Sequence, residues 1–422
     1  MTVSGQSKGS PDLAPPLVVV VAAFDLDGTG GGATRAKQLA ALFVRAGCTV
    51  RLMGFGEEGA DREPEKDSEA PHAVECVPDH VGRLMRRILG AIGQEGGFAA
   101  RSALVAAAQR AVAGARRGPC FVLLYNQDPF LAVRLARVCA EAGAHFLQQY
   151  AELHVAADYR ARWLQGYYLR ERLHFQAVPR WAAGNLVISS TLRELAARRG
   201  ARNIFVLPSF VDAAAWERAI AGAGRNKIPG RVLYAGEGAR RDCLGMIIAA
   251  AGHCRRRGLD ITLRLVGLTP RRARECHALA AVAGLGEAMT IAGRIGHAEL
   301  AVEYAEAAAA VLLRSDDRSS RACFPTRLGE LLLAGPVLLS DIPDYNLRFA
   351  HGVNAYLADP NRVESVAEEL AALVVSGERN DRVAAAGRDL ARTVLNIGHY
   401  AADARRWLET VARTQGAALA AP

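Results

Sequence analysis

The chain reads as an α/β protein built of two doubly wound domains that face each other across a cleft. Three observations predict this. Its 422 residues exceed one ordinary core, and about 100–200 residues per domain implies two or three. Short Val- and Leu-rich runs alternate with stretches of helical period, the pattern of parallel strands joined by crossover helices. The alternation runs twice, once on each side of a turn- and linker-rich segment at 209–230.

Residues 1–16 form a polar, Gly- and Pro-containing lead-in that reads as disordered, with no apolar core of a signal peptide. The run LVVVVAAF at 17–24 predicts a buried first strand. A Gly-rich turn follows, then a helix over 33–46 and a second strand over 48–53. Residues 56–71 are polar and read as a loop. Residues 80–118 carry helical period. Strands are expected at 120–125, 145–149, 186–189 and 204–207, with helices up to residue 142 and over 191–199. The first domain is therefore set at 17–213.

In the second domain, 228–395, strands are expected at 231–234, 261–266, 289–291, 311–313 and 336–340. Helices fall between and after them at 243–257, 270–283, 298–308, 326–333 and 366–376. A last helix over 400–413, within a crossover segment and tail at 396–422, carries Trp407, Leu408 and Val411 and is expected to pack back on the first domain. Ligands of open α/β sheets sit at the carboxyl ends of the strands, so the cleft between the domains is the expected site.

Composition narrows the class further. Hydrophobic residues are 51% and charged ones 23%, which excludes disorder, collagen and coiled coil for the bulk of the chain. Lys+Arg number 52 against 43 Asp+Glu, a net +9, and such a balance favours anionic partners. The region 80–118 holds Arg83, Arg86, Arg87, Arg101, Arg110, Arg116 and Arg117 against the single acid Glu95. A basic amphipathic surface there suits an anionic membrane surface or an anionic acceptor. No aromatic pattern interleaves the arginines, which argues against nucleic acid. The eight cysteines are scattered, so neither a zinc site nor a disulfide framework is expected. The pattern fits a cytoplasmic protein, peripheral at most on the inner face of the membrane.

Three readings compete for the first loop. Asp25-Leu26-Asp27-Gly28-Thr29 resembles the D-x-D-G-T signature of haloacid dehalogenase-like phosphatases, in which the first Asp attacks phosphorus and the second is an acid/base. Asp316 and Asp317 follow a later strand, as that family's metal-binding acids do, but almost 290 residues on. Gly28-x-Gly30-x-x-Ala33 is a variant of the dinucleotide fingerprint. The third reading is a turn, with Gly30, Gly31 and Gly32, that lets an acceptor or a donor phosphate approach the backbone.

The second half decides. Val232–Gly236 is followed by Arg240-Arg241-Asp242. Leu263–Gly267 comes next, then Ile291-Ala292-Gly293-Arg294-Ile295, and then Phe324-Pro325-Thr326-Arg327-Leu328-Gly329-Glu330. In order and spacing this series resembles the nucleotide-sugar-binding domain of GT-B retaining glycosyltransferases of family 4, the glycosyl transferases group 1. That resemblance implies two Rossmann-like domains and transfer of a sugar from a nucleoside diphosphate sugar, such as a UDP-sugar, to a hydroxyl acceptor. The acceptor would be a glycan, a lipid-linked glycan or a small molecule. It further implies retention at the anomeric carbon, with no cofactor, no bound metal and no covalent enzyme nucleophile.

It also implies roles for single residues. Arg241, with Arg240 as its neighbour and alternative, would face the leaving diphosphate. Gly236, Gly267 and Arg294 would approach the nucleotide. Phe324, Pro325, Thr326, Arg327 and Leu328 would hold sugar and diphosphate, the amides of the last three pointing at phosphate oxygens. Glu330 would accept hydrogen bonds from the ribose hydroxyls. The first acid of that family's E-x7-E element would fall at 322, which is Ala322. On the acceptor side, Glu152 is the expected carboxylate, with His154 second. Asn126 and Gln127 end a strand where relatives have a His. These departures leave a GT-B protein that binds a nucleotide sugar without turnover as the competing reading.

Overall fold

The computed structural model describes residues 14–26, 31–56, 73–77, 97–115, 118–156, 166–342, 348–375 and 377–419. Among them, β1 (Leu17–Asp25), β2 (Thr49–Phe55), β3 (Ala73–Val77), β4 (Cys120–Leu124), β5 (His145–Tyr150), β6 (Gly184–Val187) and β7 (Ile204–Val206) form one sheet in the order β3-β2-β1-β4-β5-β6-β7. A second sheet contains β8 (Ile228–Ala235), β9 (Thr262–Val266), β10 (Met289–Ala292), β11 (Ala307–Leu312), β12 (Val337–Ser340) and β13 (Tyr356–Ala358), in the order β10-β9-β8-β11-β12-β13. Neighbouring strands are parallel in both sheets. Each sheet starts at its middle strand, winds outward and then reverses. The two switch points, β1/β4 and β8/β11, are where such sheets open a crevice.

Burial explains why the central strands read as unbroken apolar runs. In β1, Val19, Val21 and Ala23 enter one core while Val18, Val20 and Ala22 enter another on the opposite face. In β8 the same alternation sends Val232 and Tyr234 one way and Leu233 and Ala235 the other. A strand buried on both faces has no polar positions to alternate with.

The core that takes Leu233 and Ala235 belongs to both domains. It joins Tyr150, Val187, Ile188 and Leu192 to Leu331, Val337 and Leu339, and forms an apolar seam behind the cleft. Two chain crossings run beside it. Val211 donates its amide to the Leu395 carbonyl at 2.8 Å and accepts from the Ile397 amide at 2.9 Å.

Helix Ile397–Leu419 then crosses back as expected. Tyr400, Ala404, Trp407, Leu408 and Val411 bury themselves in the first domain's core, and Trp407 Nε1 donates to the Asn203 carbonyl at 2.7 Å. Gly184 makes room for this helix, since a Cβ there would lie 2.9 Å from both Trp407 and Val411.

Several expectations are corrected. The segment read as turn and linker at 209–230 contains the helix Ala213–Gly222, started by the Asp212 carboxylate on the Ala215 amide. Its Trp216 stacks on His297 with ring centroids 4.0 Å apart, which fastens the helix to the second domain. Strands β3 and β13 and the helices Gly166–Ala177, Arg318–Ala322 and Glu378–Arg392 also went unread.

Two arginines of the basic region lie among the described residues. Arg101 is buried and ion-paired with Asp128, which caps helix Pro129–Ala142. Arg110 pairs with Glu75 at 3.1 Å. Arg83, Arg86, Arg87, Glu95, Arg116 and Arg117 lie outside the described residues. No disulfide joins any of the eight cysteines. Among the described residues no helix is long and apolar enough to cross a membrane.

Candidate functional site

The carboxyl ends of β1 and β5 face those of β8, β9 and β11 across a cavity of about 190 Å³. Gly31 and Glu152 line it from the first domain. From the second come Gly236, Glu237, Arg241, Gly267, Arg294, Arg314, Pro325, Thr326 and Arg327. The helix after β1 begins at Gly31, where a Cβ would stand 3.4 Å from Thr326 Oγ1. The Gly-rich turn and the 325–327 loop therefore oppose each other directly. Gly32 lies against the Phe24 ring. Asp27, Gly28, Thr29 and Gly30 fall outside the described residues.

Arg241 is aimed by a tightly held turn. After β8, residues Arg240–Asp242 make one 3-10 turn, and Cys243 takes the left-handed region at φ 47°. That conformation is strained for a residue with a Cβ and persists only where neighbours impose it. Here the buried Asp242 carboxylate imposes it, accepting from Tyr234 Oη at 2.6 Å and the Ala239 amide at 2.8 Å and pairing with Arg314 at 2.8 Å. Arg241 consequently leaves the turn into the cleft. Its Nη2 lies 3.1 Å from Glu152 Oε1, across the domain boundary, and its Nη1 donates to Ser319 Oγ at 3.4 Å. Arg240 points elsewhere and pairs with Asp317 at 3.7 Å.

Glu152 continues into a chain of charges. Its Oε2 is 3.1 Å from His154 Nε2, and His154 Nδ1 is 2.8 Å from Glu171 Oε2. Burial pushes the Glu152 carboxyl up, but Arg241, His154 and Arg314 outweigh it and hold the group well below the usual carboxylate range. The side chain keeps 43% of its exposure, so the surrounding cations rather than dehydration set that direction. Burial lowers His154, and its bonds to Glu152 and Glu171 reverse this and raise it to about 10. At neutral pH Arg241 and His154 are thus cations and Glu152 an anion. Glu152 is therefore a carboxylate with little basicity, better suited to orienting a hydroxyl than to taking its proton.

Around position 330 the structure redistributes the expected roles. Thr326 and Arg327 line the cavity, but the Leu328 amide is spent on the Pro325 carbonyl at 3.3 Å and the helix starts only at Leu328. Its amide is withdrawn from the phosphate-binding set. Phe324 is buried in the seam, and its carbonyl accepts from Ser209 Oγ at 2.9 Å. Glu330 is 1% exposed. Tyr304 Oη at 2.7 Å and Arg327 Nη1 at 3.3 Å both bond its Oε2, so Oε1 is the oxygen that remains for a hydroxyl. Burial raises this carboxyl against the pull of Arg327.

Ala322 explains itself. It is fully buried in the seam, and its carbonyl accepts from Ser189 Oγ at 2.8 Å. A carboxylate there would be driven into apolar packing.

Gly267 has φ 92°, and a Cβ on it would lie 2.9 Å from the Gly236 carbonyl oxygen. A Cβ on Gly236 would lie 2.4 Å from Tyr234 Oη. Both glycines are thus required by the floor of the cavity itself. Arg294 pairs with Glu237 at 2.8 Å at the cavity's mouth. On the first domain, Asn126 Oδ1 accepts from the Ala23 amide at 2.6 Å and ties β1 to β4. Gln127 Nε2 donates to the Glu152 carbonyl at 2.7 Å. Sequence reasoning gave Arg314, the end of the run Ala310–Arg314, no role and passed over Glu171. Arg314 sits just past β11, a strand end that could have flagged it. Glu171 lies on an unread helix with no such signal.

The later acid pair of the phosphatase reading is engaged locally, and Asp27 lies outside the described residues. Asp316 pairs with Arg321 at 2.7 Å, and Asp317 caps helix Arg318–Ala322. Among the described residues no three His, Cys, Asp or Glu side chains stand together as a metal site.

Two Rossmann-like sheets with a cationic cleft between them and a carboxyl-terminal helix returning to the first define the GT-B fold. Residues 229–376 match the family model of the glycosyl transferases group 1. The second domain is thus similar to the glycosyl transferases group 1 domain, in line with its motif order. No curated protein is significantly similar in sequence.

Solved structures share the fold over nearly the whole chain. Sucrose-phosphate synthase from Thermosynechococcus elongatus aligns at 17% identity and a TM-score of 0.66, covering 96% of this chain and 98% of that one. HepE of Anabaena, in complex with UDP-glucose, aligns at 14% and 0.64, covering 95% and 99%. WaaG, a glycosyltransferase involved in lipopolysaccharide biosynthesis, aligns at 16% and 0.60, covering 92% and 98%.

Proposed function

We propose that the protein is a glycosyltransferase that moves a sugar from a nucleoside diphosphate sugar, with UDP as the nucleotide, to a hydroxyl of an acceptor, with retention and without a metal ion. The observation that carries this reading is the Arg241–Glu152 contact. It places a donor-side cation and an acceptor-side carboxylate 3.1 Å apart at the meeting point of the two domains.

In the reaction, the bond from the anomeric carbon to the diphosphate breaks and negative charge grows on the leaving group. Arg241, with Arg314 and Arg327 on the same wall, would meet that charge. Glu152 would orient the attacking hydroxyl, and the departing phosphate oxygen would accept its proton. Glu330 Oε1 would hold the ribose. UDP-glucose is the first donor to try, because HepE, which shares the fold, is in complex with it.

The test is release of UDP from UDP-sugars by the wild type and by Arg241→Ala, alongside UDP binding by both. Loss of release and at least tenfold weaker UDP binding in the variant support the reading. Binding without release from any donor favours the non-catalytic reading, which rests on Ala322 standing where an acid is expected. Absence of UDP binding in the wild type overturns both. Location in the cytoplasm with peripheral membrane contact is part of the same proposal, supported by the exposed Phe130 and Val133 on one helix face. Co-sedimentation with anionic vesicles tests it.

A further inference from the structure

A second cavity, of about 220 Å³, lies behind Glu152. His154 is the wall between the two, since it lines this cavity and touches the carboxylate that lines the other. Whatever occupies the second cavity therefore ends beside Glu152.

Its chemistry is lopsided. Arg172 comes from helix Gly166–Ala177, Arg199 from the end of the segment after β6, and Arg318 from the second domain. Three separated pieces of chain thus each contribute an exposed arginine to the lining of one concavity. None of the three has a carboxylate partner among the described residues, although Arg241, Arg294, Arg314 and Arg327 around the cleft do. The acid that lines the cavity, Glu171, is engaged by His154. The opposite wall is apolar, with Leu153, Phe175 and Leu195.

We infer that this cavity binds the acceptor, and that the acceptor carries a phosphoryl group next to the ring that bears its reacting hydroxyl. The inference rests on the glycosyltransferase reading and adds the chemical class of the second substrate. A tetrahedral phosphoryl group takes donors from several directions at once, whereas a planar carboxylate is matched by one guanidinium fork. Three arginines from three directions fit the former. The apolar wall would take the face of the ring or the start of an aglycone. The charge chain gives a reason for the protonated His154, which would add a fourth positive charge where the phosphoryl-bearing ring reaches Glu152. A phosphorylated sugar in solution and a lipid headgroup offer the same chemistry.

Calorimetry with the full chain, in saturating UDP, tests this. The probes are glucose 6-phosphate against glucose, glucuronate, and phosphatidylcholine vesicles with and without phosphatidylinositol. The expected result is at least tenfold tighter binding of glucose 6-phosphate than of glucose or glucuronate, or of phosphatidylinositol vesicles than of plain ones. The first outcome assigns a soluble acceptor and the second a headgroup. Arg172→Ala, Arg199→Ala and Arg318→Ala should each weaken the preferred probe about tenfold. UDP binding should stay unchanged in all three.

Two results overturn the inference while the donor reading stands. One is UDP binding with no preference for any phosphorylated probe. The other is a preference that survives all three substitutions. The wild-type comparison needs no variant to fold. Failure of UDP to bind the wild type is the separate result that would remove the donor reading instead.

Discussion

In the structure Arg241 is occupied by Glu152, so a diphosphate must displace that carboxylate before it can use the guanidinium. Glu152→Gln removes the competitor's charge and keeps the shape. The contact is 3.1 Å long, but the Glu152 side chain is 43% exposed and solvent screens it. A pair of that kind is worth about 1 kcal/mol, which converts to roughly fivefold in affinity. Loss of like-charge repulsion against the incoming phosphates acts in the same direction. UDP should therefore bind Glu152→Gln about fivefold more tightly than the wild type, while sugar transfer falls. Calorimetry at low and high salt reads this, and the gain should shrink as salt screens the pair. In an Arg241→Ala background the gain should shrink to what the lost repulsion alone contributes, because the ion-pair share runs through that one contact. Unchanged or weaker UDP binding by a folded Glu152→Gln protein would refute the reasoning.

Three further outcomes follow from the geometry. His154 is raised from 6.5 to about 10 in the folded protein, so its stabilisation is complete below about pH 6.5 and is lost as the pH climbs toward 10. Denaturant melts between pH 7 and 9 should show stability falling by up to about 1.4 kcal/mol per pH unit, and His154→Gln should flatten the slope. Gly267→Ala puts a Cβ 2.9 Å from the Gly236 carbonyl at φ 92° and should destabilise by about 1–3 kcal/mol. A loss under 0.5 kcal/mol would show that this floor yields. Arg35 is fully buried and donates to the Leu207 and Pro208 carbonyls at 2.8 and 3.0 Å. Arg35→Met should cost about 2–4 kcal/mol in the same assay, by leaving both carbonyls unsatisfied.

The sequence by itself determined the fold class, because a central parallel strand must be apolar along its whole length, and β1, β8 and β11 announce themselves that way. It also pointed to the domain that matches the family model, since Arg241, Arg294 and the 325–327 loop sit at strand ends whose order is visible in the chain. Edge and late elements were hidden. β3 lies against a single neighbour, and the short β13 follows no distinctive apolar run. Helix Ala213–Gly222 was concealed by its Ala- and Gly-rich composition beside a true domain crossing.

Only the tertiary structure decided what the cleft residues do for one another. Glu152 and Arg241 are 89 residues apart, and no local pattern relates their charges. Arg101 looked like part of a basic surface and proved to be the counter-ion of a buried helix cap. Ala322 stood where the resemblance expects a sugar-contacting acid and proved to be fully buried in the apolar seam. Ion pairing and burial depend on distance in space, whereas periodicity depends only on neighbours along the chain.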